Sequence, residues 1–278
     1  MRKHIAGIDH VVVVVHDLDH ARDTYARMGF TLTPRGHHTL GSQNHCIMFG
    51  SDYIELLAMT KTHPSMQYFS DFLARGDGMA AIALATDDAA AVQRGLAGDG
   101  LQPDAPIEFS RPVELPGGTR DAKFRVVQMP PALTAGARVF FCQHFTRDVV
   151  WRPDCLEHPL GVTGLAAVAI VADDPAVAAR SYARIFDEPA HPIEEGLLVK
   201  TGTAPIALTT RGSLGKRLRD IALPPRPRPL VGALFIRVAD RARAAEALRK
   251  GGFSPRAMKD GSYALDAEQA HGVTLVFG

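Results

Sequence analysis

A histidine and a carboxylate stand where the surrounding sequence calls for aliphatic side chains. His10 lies in Gly7-Ile-Asp-His-Val-Val-Val-Val-Val-His-Asp17, whose β-branched run Val11 to Val15 is too short for a membrane helix and too uniform for an amphipathic one, so it predicts a buried strand. Glu55 lies in Tyr53-Ile-Glu-Leu-Leu-Ala58, a second apolar strand. An unpaired charge in such a strand would cost roughly several kcal/mol unless it has a partner or a metal. Two such anomalies within one strand-helix-strand stretch point to a site.

The elements that would position them form a unit that recurs. After the first strand, residues 17–28 predict a helix with Asp17 or Asp19 as N-cap, Ala21, Tyr25 and Met28 on one face, and Gly29 as the stop. Strands follow at 30–33, 44–49 and 53–58, with a loop at 34–41 and a turn at Gly50-Ser51-Asp52, which makes the unit β-α-β-β-β. The opening frame returns at Gly78 to Asp88, at Gly164 to Asp174 and at Leu230 to Asp240, with Asp88 and Asp174 matched to Asp17 and Tyr182 matched to Tyr25. Residues 60–77 predict a polar connection and 110–118 a loop broken by Pro and Gly, before strands at 123–128 and 138–145. Residues 146–160 predict a tether open to proteolysis between two units, 5–146 and 161–278. The expected fold is therefore α+β, four tandem βαβββ modules paired into two cleft-bearing domains.

Bulk composition narrows the class of function. At 278 residues the chain has room for about two domains. The 31 Lys+Arg and 30 Asp+Glu give a net charge of +1, which argues against nucleic acid, an anionic membrane or a polyanionic substrate as partner. Cys46, Cys142 and Cys155 lack Cys-x-x-Cys spacing and favour free thiols in a reducing compartment, so a cytoplasmic location is expected. No stretch reads as a secretory signal or a membrane span.

Four such units, with Ile8-Asp9-His10-Val11-Val12 and Asp52-Tyr53-Ile54-Glu55-Leu56 in the first, resemble the vicinal oxygen chelate superfamily, and its glyoxalase-like branch most. The resemblance implies that two units pair around one cleft holding a divalent metal (Zn, Ni, Mn or Fe), with His10 and Glu55 as the ligands of the first unit. In the second unit Ala81 matches His10, and the Glu55 position falls near Gln143, whose amide oxygen could still coordinate. A three-residue hairpin loop would bring His45 to the Glu55 face, and a two-residue loop would bring Cys46. Gln143 and His144 alternate to opposite faces, so at most one of them enters the cleft unless a bulge intervenes. Tyr53, Phe140, Phe141 and Trp151 are possible walls, His37 and His38 are expected to be solvated, and His16 and His20 belong to a helix entrance. The second half, with Ala167 and Ala233 at the His10 position, is expected to serve packing, dimerisation or closure of the cleft.

The resemblance implies a metal-dependent lyase or isomerase acting on a small molecule with vicinal oxygens, with Glu55 or a metal-bound water moving the proton. The alternative is a protein that sequesters a small aromatic or antibiotic-like ligand, as bleomycin-resistance proteins do. A homodimer is compatible with either.

Overall fold

The structure is a computed structural model that describes residues 1–61, 63–219 and 221–278. The first half runs β1 (Ile5–Val14), α1 (Leu18–Arg27), β2 (Gly36–His38), β3 (Ser42–Met48), β4 (Tyr53–Met59), α2 (Gln67–Leu73), β5 (Gly78–Thr86), α3 (Ala89–Gly98), β6 (Ile107–Leu115), β7 (Gly118–Gln128) and β8 (Arg138–His144). A short α4 (Arg147–Val150) leads to β9 (Val162–Val171), α5 (Pro175–Phe186), β10 (Ala190–Ile193), β11 (Gly196–Val199), β12 (Ile206–Thr209), α6 (Arg211–Arg217), β13 (Leu230–Val238), α7 (Arg241–Lys250), β14 (Arg256–Ala257), β15 (Tyr263–Leu265) and β16 (Leu275–Phe277). Among the described residues no helix is long and apolar enough to cross a membrane.

The strands make two eight-stranded sheets of the same plan, β2-β3-β4-β1-β5-β8-β7-β6 and β10-β11-β12-β9-β13-β16-β15-β14. In each sheet the opening strands of two units meet antiparallel at the centre, and each is flanked in parallel by the last strand of its own unit. Two local features explain why the four frames fold alike. Asp17, Asp88, Asp174 and Asp240 each cap a helix by accepting a hydrogen bond from a first-turn backbone N–H. The register also slips at Asp9, Ala80, Ala166 and Gly232, each an extra residue in its strand eight positions ahead of its capping aspartate (17 − 9, 88 − 80, 174 − 166, 240 − 232). His10, Ala81, Ala167 and Ala233 therefore follow equivalent bulges.

One hydrophobic core runs through both halves, from Val11, Tyr25 and Leu56 to Val168, Tyr182 and Leu234. The two matched tyrosines are fully buried and cross between halves: Tyr25 Oη donates to the Ala270 carbonyl, and Tyr182 Oη donates to the Ala135 carbonyl. The other face of each sheet is treated differently. In the second sheet, Leu214 of α6 and Leu218 at its C-cap, with Ile221 and Met258, pack onto Ala169, Val171 and Ala233. In the first sheet the corresponding face lines a cavity.

Several expectations are corrected. Residues 30–33 are not a strand, and the short β2 lies inside the expected loop at 34–41. The connection 60–77 contains α2, which buries Phe69 and Phe72. The expected loop at 110–118 is mostly β6, hairpinned onto β7 through Pro116-Gly117. Residues 146–160 are well packed, with Val149, Val150, Cys155, His158 and Leu160 buried.

Candidate active site

The bulge at Asp9 breaks the alternation of β1, so neighbouring side chains at 9 and 10 reach each other. Asp9 Oδ2 lies 2.7 Å from His10 Nδ1 and 3.0 Å from His144 Nε2. Burial alone would raise the Asp9 pKa, but the hydrogen bonds from the two imidazoles outweigh it and hold the carboxyl well below the usual range. Engaging Nδ1 fixes the His10 ring, and its Nε2 faces Glu55 Oε2 at 3.7 Å. The ring also stacks on Tyr53 (centroids 4.3 Å apart) and meets the edge of Phe140 at 5.5 Å.

Glu55 sits opposite Val12 of β1 and Cys46 of β3, and is 8% exposed. Asn44 Nδ2 donates to Glu55 Oε1 at 2.6 Å, and His38 Nε2 lies 3.9 Å from the same oxygen. His38 Nδ1 is occupied by Ser42 Oγ at 2.9 Å, and burial pushes the His38 pKa down to about 4, so the ring is neutral near pH 7. His10, Glu55, His38 and Asn44 share a cleft of about 840 Å³, mouth included, whose walls include Leu57, Phe109, Phe124 and Phe140 and whose cations are Arg111 and Arg138.

The structure brings His10, Glu55, Tyr53 and Phe140 together at this cleft, but Gln143, His45, His144, Phe141 and Trp151 do not line it. Gln143 does not line it: its Oε1 accepts from Ala89 N–H and its Nε2 donates to the Asp87 carbonyl, so it ties down the start of α3. The register shows why. Glu55 pairs with Val12, whose equivalent Ala83 pairs with Phe140, so Phe140 and not Gln143 occupies the Glu55 position. Phe141 points to the opposite face and is fully buried in the shared core. His45 also turns away, with Nδ1 2.7 Å from the Thr33 carbonyl oxygen, because the hairpin has a two-residue Gly50-Ser51 loop that pairs Met48 with Tyr53 and Cys46 with Glu55. His144 stands behind His10, on Asp9. Trp151 backs Tyr53 at 5.3 Å and donates its indole N–H to the Phe49 carbonyl. His38, expected in solvent, lines the cleft. Asn44 and Arg111 were not anticipated: no local signal marks one amide or one of many arginines, although Asn44 alternates with Cys46 toward Glu55.

Donors for a cation fall into two groups. His10 Nε2, Glu55 and His38 Nε2 face the cleft, and the Asp9–His10 contact is the outer-shell support that commonly orients a metal-binding imidazole. Behind them, one donor atom each from Asp9, Cys142 and His144 lies within 4.8 Å of the others. There Asp9 Oδ2 already serves two imidazoles, and burial holds the Cys142 thiol well above its ordinary pKa, hence protonated. The cleft-facing donors have the imidazole and carboxylate chemistry of a divalent-ion site and open onto the cavity, but they are more widely spread than the rear three, where Asp9 Oδ1 has no hydrogen-bond partner.

Paired βαβββ units around a concave sheet are the vicinal oxygen chelate fold. A family model described as a glyoxalase-like domain matches residues 8–186, and the chain belongs to that family. Among solved structures, a hypothetical protein from Staphylococcus aureus superimposes with a TM-score of 0.70 at 14% identity, covering 98% of each chain. A mutant of 4-hydroxymandelate synthase from Streptomyces coelicolor superimposes with a TM-score of 0.62 at 13% identity, covering 98% of this chain and 92% of that one. At these identities the likeness is one of fold. No curated protein matches the chain.

Proposed function

We propose that the chain is a metal-assisted lyase or isomerase acting on a small molecule with adjacent oxygens at the His10–Glu55 cleft. The observation that carries this reading is a buried imidazole and a buried carboxylate converging at 3.7 Å on one cavity, each oriented by a dedicated neighbour, Asp9 and Asn44. His10, Glu55 and His38 would hold the ion. When bound, it would polarise the substrate oxygens and stabilise charge that develops on them. Asp9 fixes the His10 tautomer. Asn44 occupies Oε1 of Glu55 and leaves Oε2 to take a proton from substrate and return it. The apolar walls restrict water around that transfer.

Metal analysis of protein purified without chelator and reloaded with Zn, Ni, Mn or Fe tests the reading. About one equivalent per chain is expected. His10→Ala should abolish tight binding while the chain still folds, since Ala81, Ala167 and Ala233 occupy equivalent bulged positions. Glu55→Gln should weaken binding. Less than about a tenth of an equivalent after loading would refute metal assistance.

A second reading, a sequestering protein for an apolar ligand, is favoured by one observation: Ala81 and Phe140 leave the second unit without donors, and Phe140 adds an aromatic wall. It predicts ligand binding indifferent to metal.

A further inference from the structure

Two charged side chains of the cleft, Arg111 and Arg138, have no task in the proposed chemistry, and Arg111 lies beside the residues that carry it. Arg111 lies on β6, paired with Ala122 of β7, and is only 6% exposed. A guanidinium keeps its charge at any accessible pH, and burying it unpaired is costly. Other arginines of this half are matched: Arg125 with Glu108, Arg35 with Asp19, Arg120 with Asp148. Arg111 forms no hydrogen bond and no ion pair among the described residues. It is also close to the reacting groups. A Cβ built on Gly36 would stand 3.0 Å from Arg111 Nη1 and 2.3 Å from Asn44 Oδ1, so the guanidinium borders the amide that holds Glu55. Arg138, a second cation of the lining, has a buried Nε with no acceptor. The rest of the wall is largely apolar, including Val12, Leu57, Phe109, Phe124 and Phe140.

We propose that the cleft takes a small organic acid whose carboxylate is gripped by the planar fork of Arg111, whose apolar body lies on Phe109 and Phe124, and whose carboxyl-bearing carbon carries a hydroxyl or keto oxygen. The last element rests on the function proposed above, through its adjacent oxygens; the carboxylate contact does not. A fork-shaped donor suits a carboxylate's two oxygens, and an anion entering the cleft removes the uncompensated charge.

The test is calorimetric titration of the whole chain, stripped of metal, with 3-phenyllactate and with its neutral amide. The acid should bind about 10- to 100-fold more tightly than the amide, the range expected for a hydrogen bond to a charged group. Arg111→Gln should reduce that preference to about twofold or less, and Arg111→Lys, which keeps the charge without the fork, should leave only part of it. Thermal unfolding provides a check that does not depend on the titration: the acid should raise the Tm of the parent protein and not that of Arg111→Gln. Equal affinity for acid and amide, binding of neither up to about 10 mM, or undiminished preference in the folded Arg111→Gln or Arg111→Lys protein would overturn the proposal. Metal analysis separates the two ideas. A chain that prefers the acid but binds no metal refutes the metal-assisted reading alone, and a chain that binds metal without the preference refutes this one alone.

Discussion

Gly36→Ala is a small change whose effect is readable through the site. Gly36 of β2 pairs with Asn44 of β3, and the Asn44 side chain folds across the glycine so closely that a new Cβ would lie 2.3 Å from Oδ1. Real Cβ atoms do not approach that closely, and Asn44 is only 2% exposed, so its amide must swing away from Glu55. The loss is then the hydrogen bond to a charged acceptor, worth about 1.5–3 kcal/mol. Against it stands the smaller unfolded-state entropy of alanine, which stabilises by about 0.4–1 kcal/mol. The expected net destabilisation is about 1–2 kcal/mol in urea unfolding. In an Asn44→Ala background the obstruction is gone, and the remaining near contacts are Arg111 Nη1 at 3.0 Å and Cδ at 3.2 Å, both on one flexible side chain. There Gly36→Ala should be neutral or stabilise by up to about 1 kcal/mol. The change of sign between backgrounds is the signature, and a double-mutant cycle measures it. An equal cost in both backgrounds would show that Asn44 is not what Gly36 accommodates.

Two further outcomes concern the join between halves. Asp77 accepts hydrogen bonds from His16 Nδ1 and His271 Nδ1, both at 2.7 Å, and although burial opposes the shift these contacts bring its pKa down to about 2. A carboxyl with a depressed folded-state pKa contributes stability that is complete above its ordinary value near 4 and is lost as pH falls through about 2. Discounted for partial solvent screening, the contribution is about 1–2 kcal/mol, so Asp77→Asn should destabilise by that amount at pH 5.5 and by progressively less toward pH 3 in urea titrations; a pH-independent difference would contradict the assignment. Because one core and the crossed bonds of Tyr25 and Tyr182 span both halves, a single proteolytic cut within 146–160 should leave a species that unfolds in one transition, and two separate calorimetric transitions would show the halves to be independent.

The frame of the fold was legible because it is written in short-range chemistry: an aspartate whose carboxylate caps the helix that follows the opening strand of each unit, and an apolar strand ahead of it. His10 and Glu55 were legible for the opposite reason, as polar groups in apolar strands. What was missed depended on register and long-range packing. Pro112 and the Pro116-Gly117 turn make β6 resemble a loop, yet Pro112 is tolerated because β6 is an edge strand, and Arg111 beside it reaches the cleft only through pairing with β7. His38 looks solvated next to exposed His37, until β2 pairs with β3 and turns alternate residues inward. Gln143 was placed by counting along an apolar run, and counting cannot tell which residue of β8 stands opposite Ala83.

The four copies also show how one frame can hold a single site. The Glu55 position is Phe140 in the second unit, Ala207 in the third, which pairs with Ala169, and Val276 in the fourth, which pairs with Phe235. The His10 position is alanine in all three. Losing donors does not by itself close a cleft, and the two sheets differ in what covers them. After β4, α2 covers only one end of the first sheet, resting Phe69 and Phe72 near Val12 and Val14. After β12, the equivalent α6 and the segment through Ile221 and Leu223 extend across Ala169, Val171 and Ala233, and Met258 adds to the cluster. An apolar face without donors gains by being covered, since burying it removes hydrocarbon from water at about 25 cal/mol per Å². A face carrying Glu55, His10 and Arg111 would lose their solvation and their access to ligand if covered the same way. The asymmetry of covering therefore follows from the asymmetry of charge.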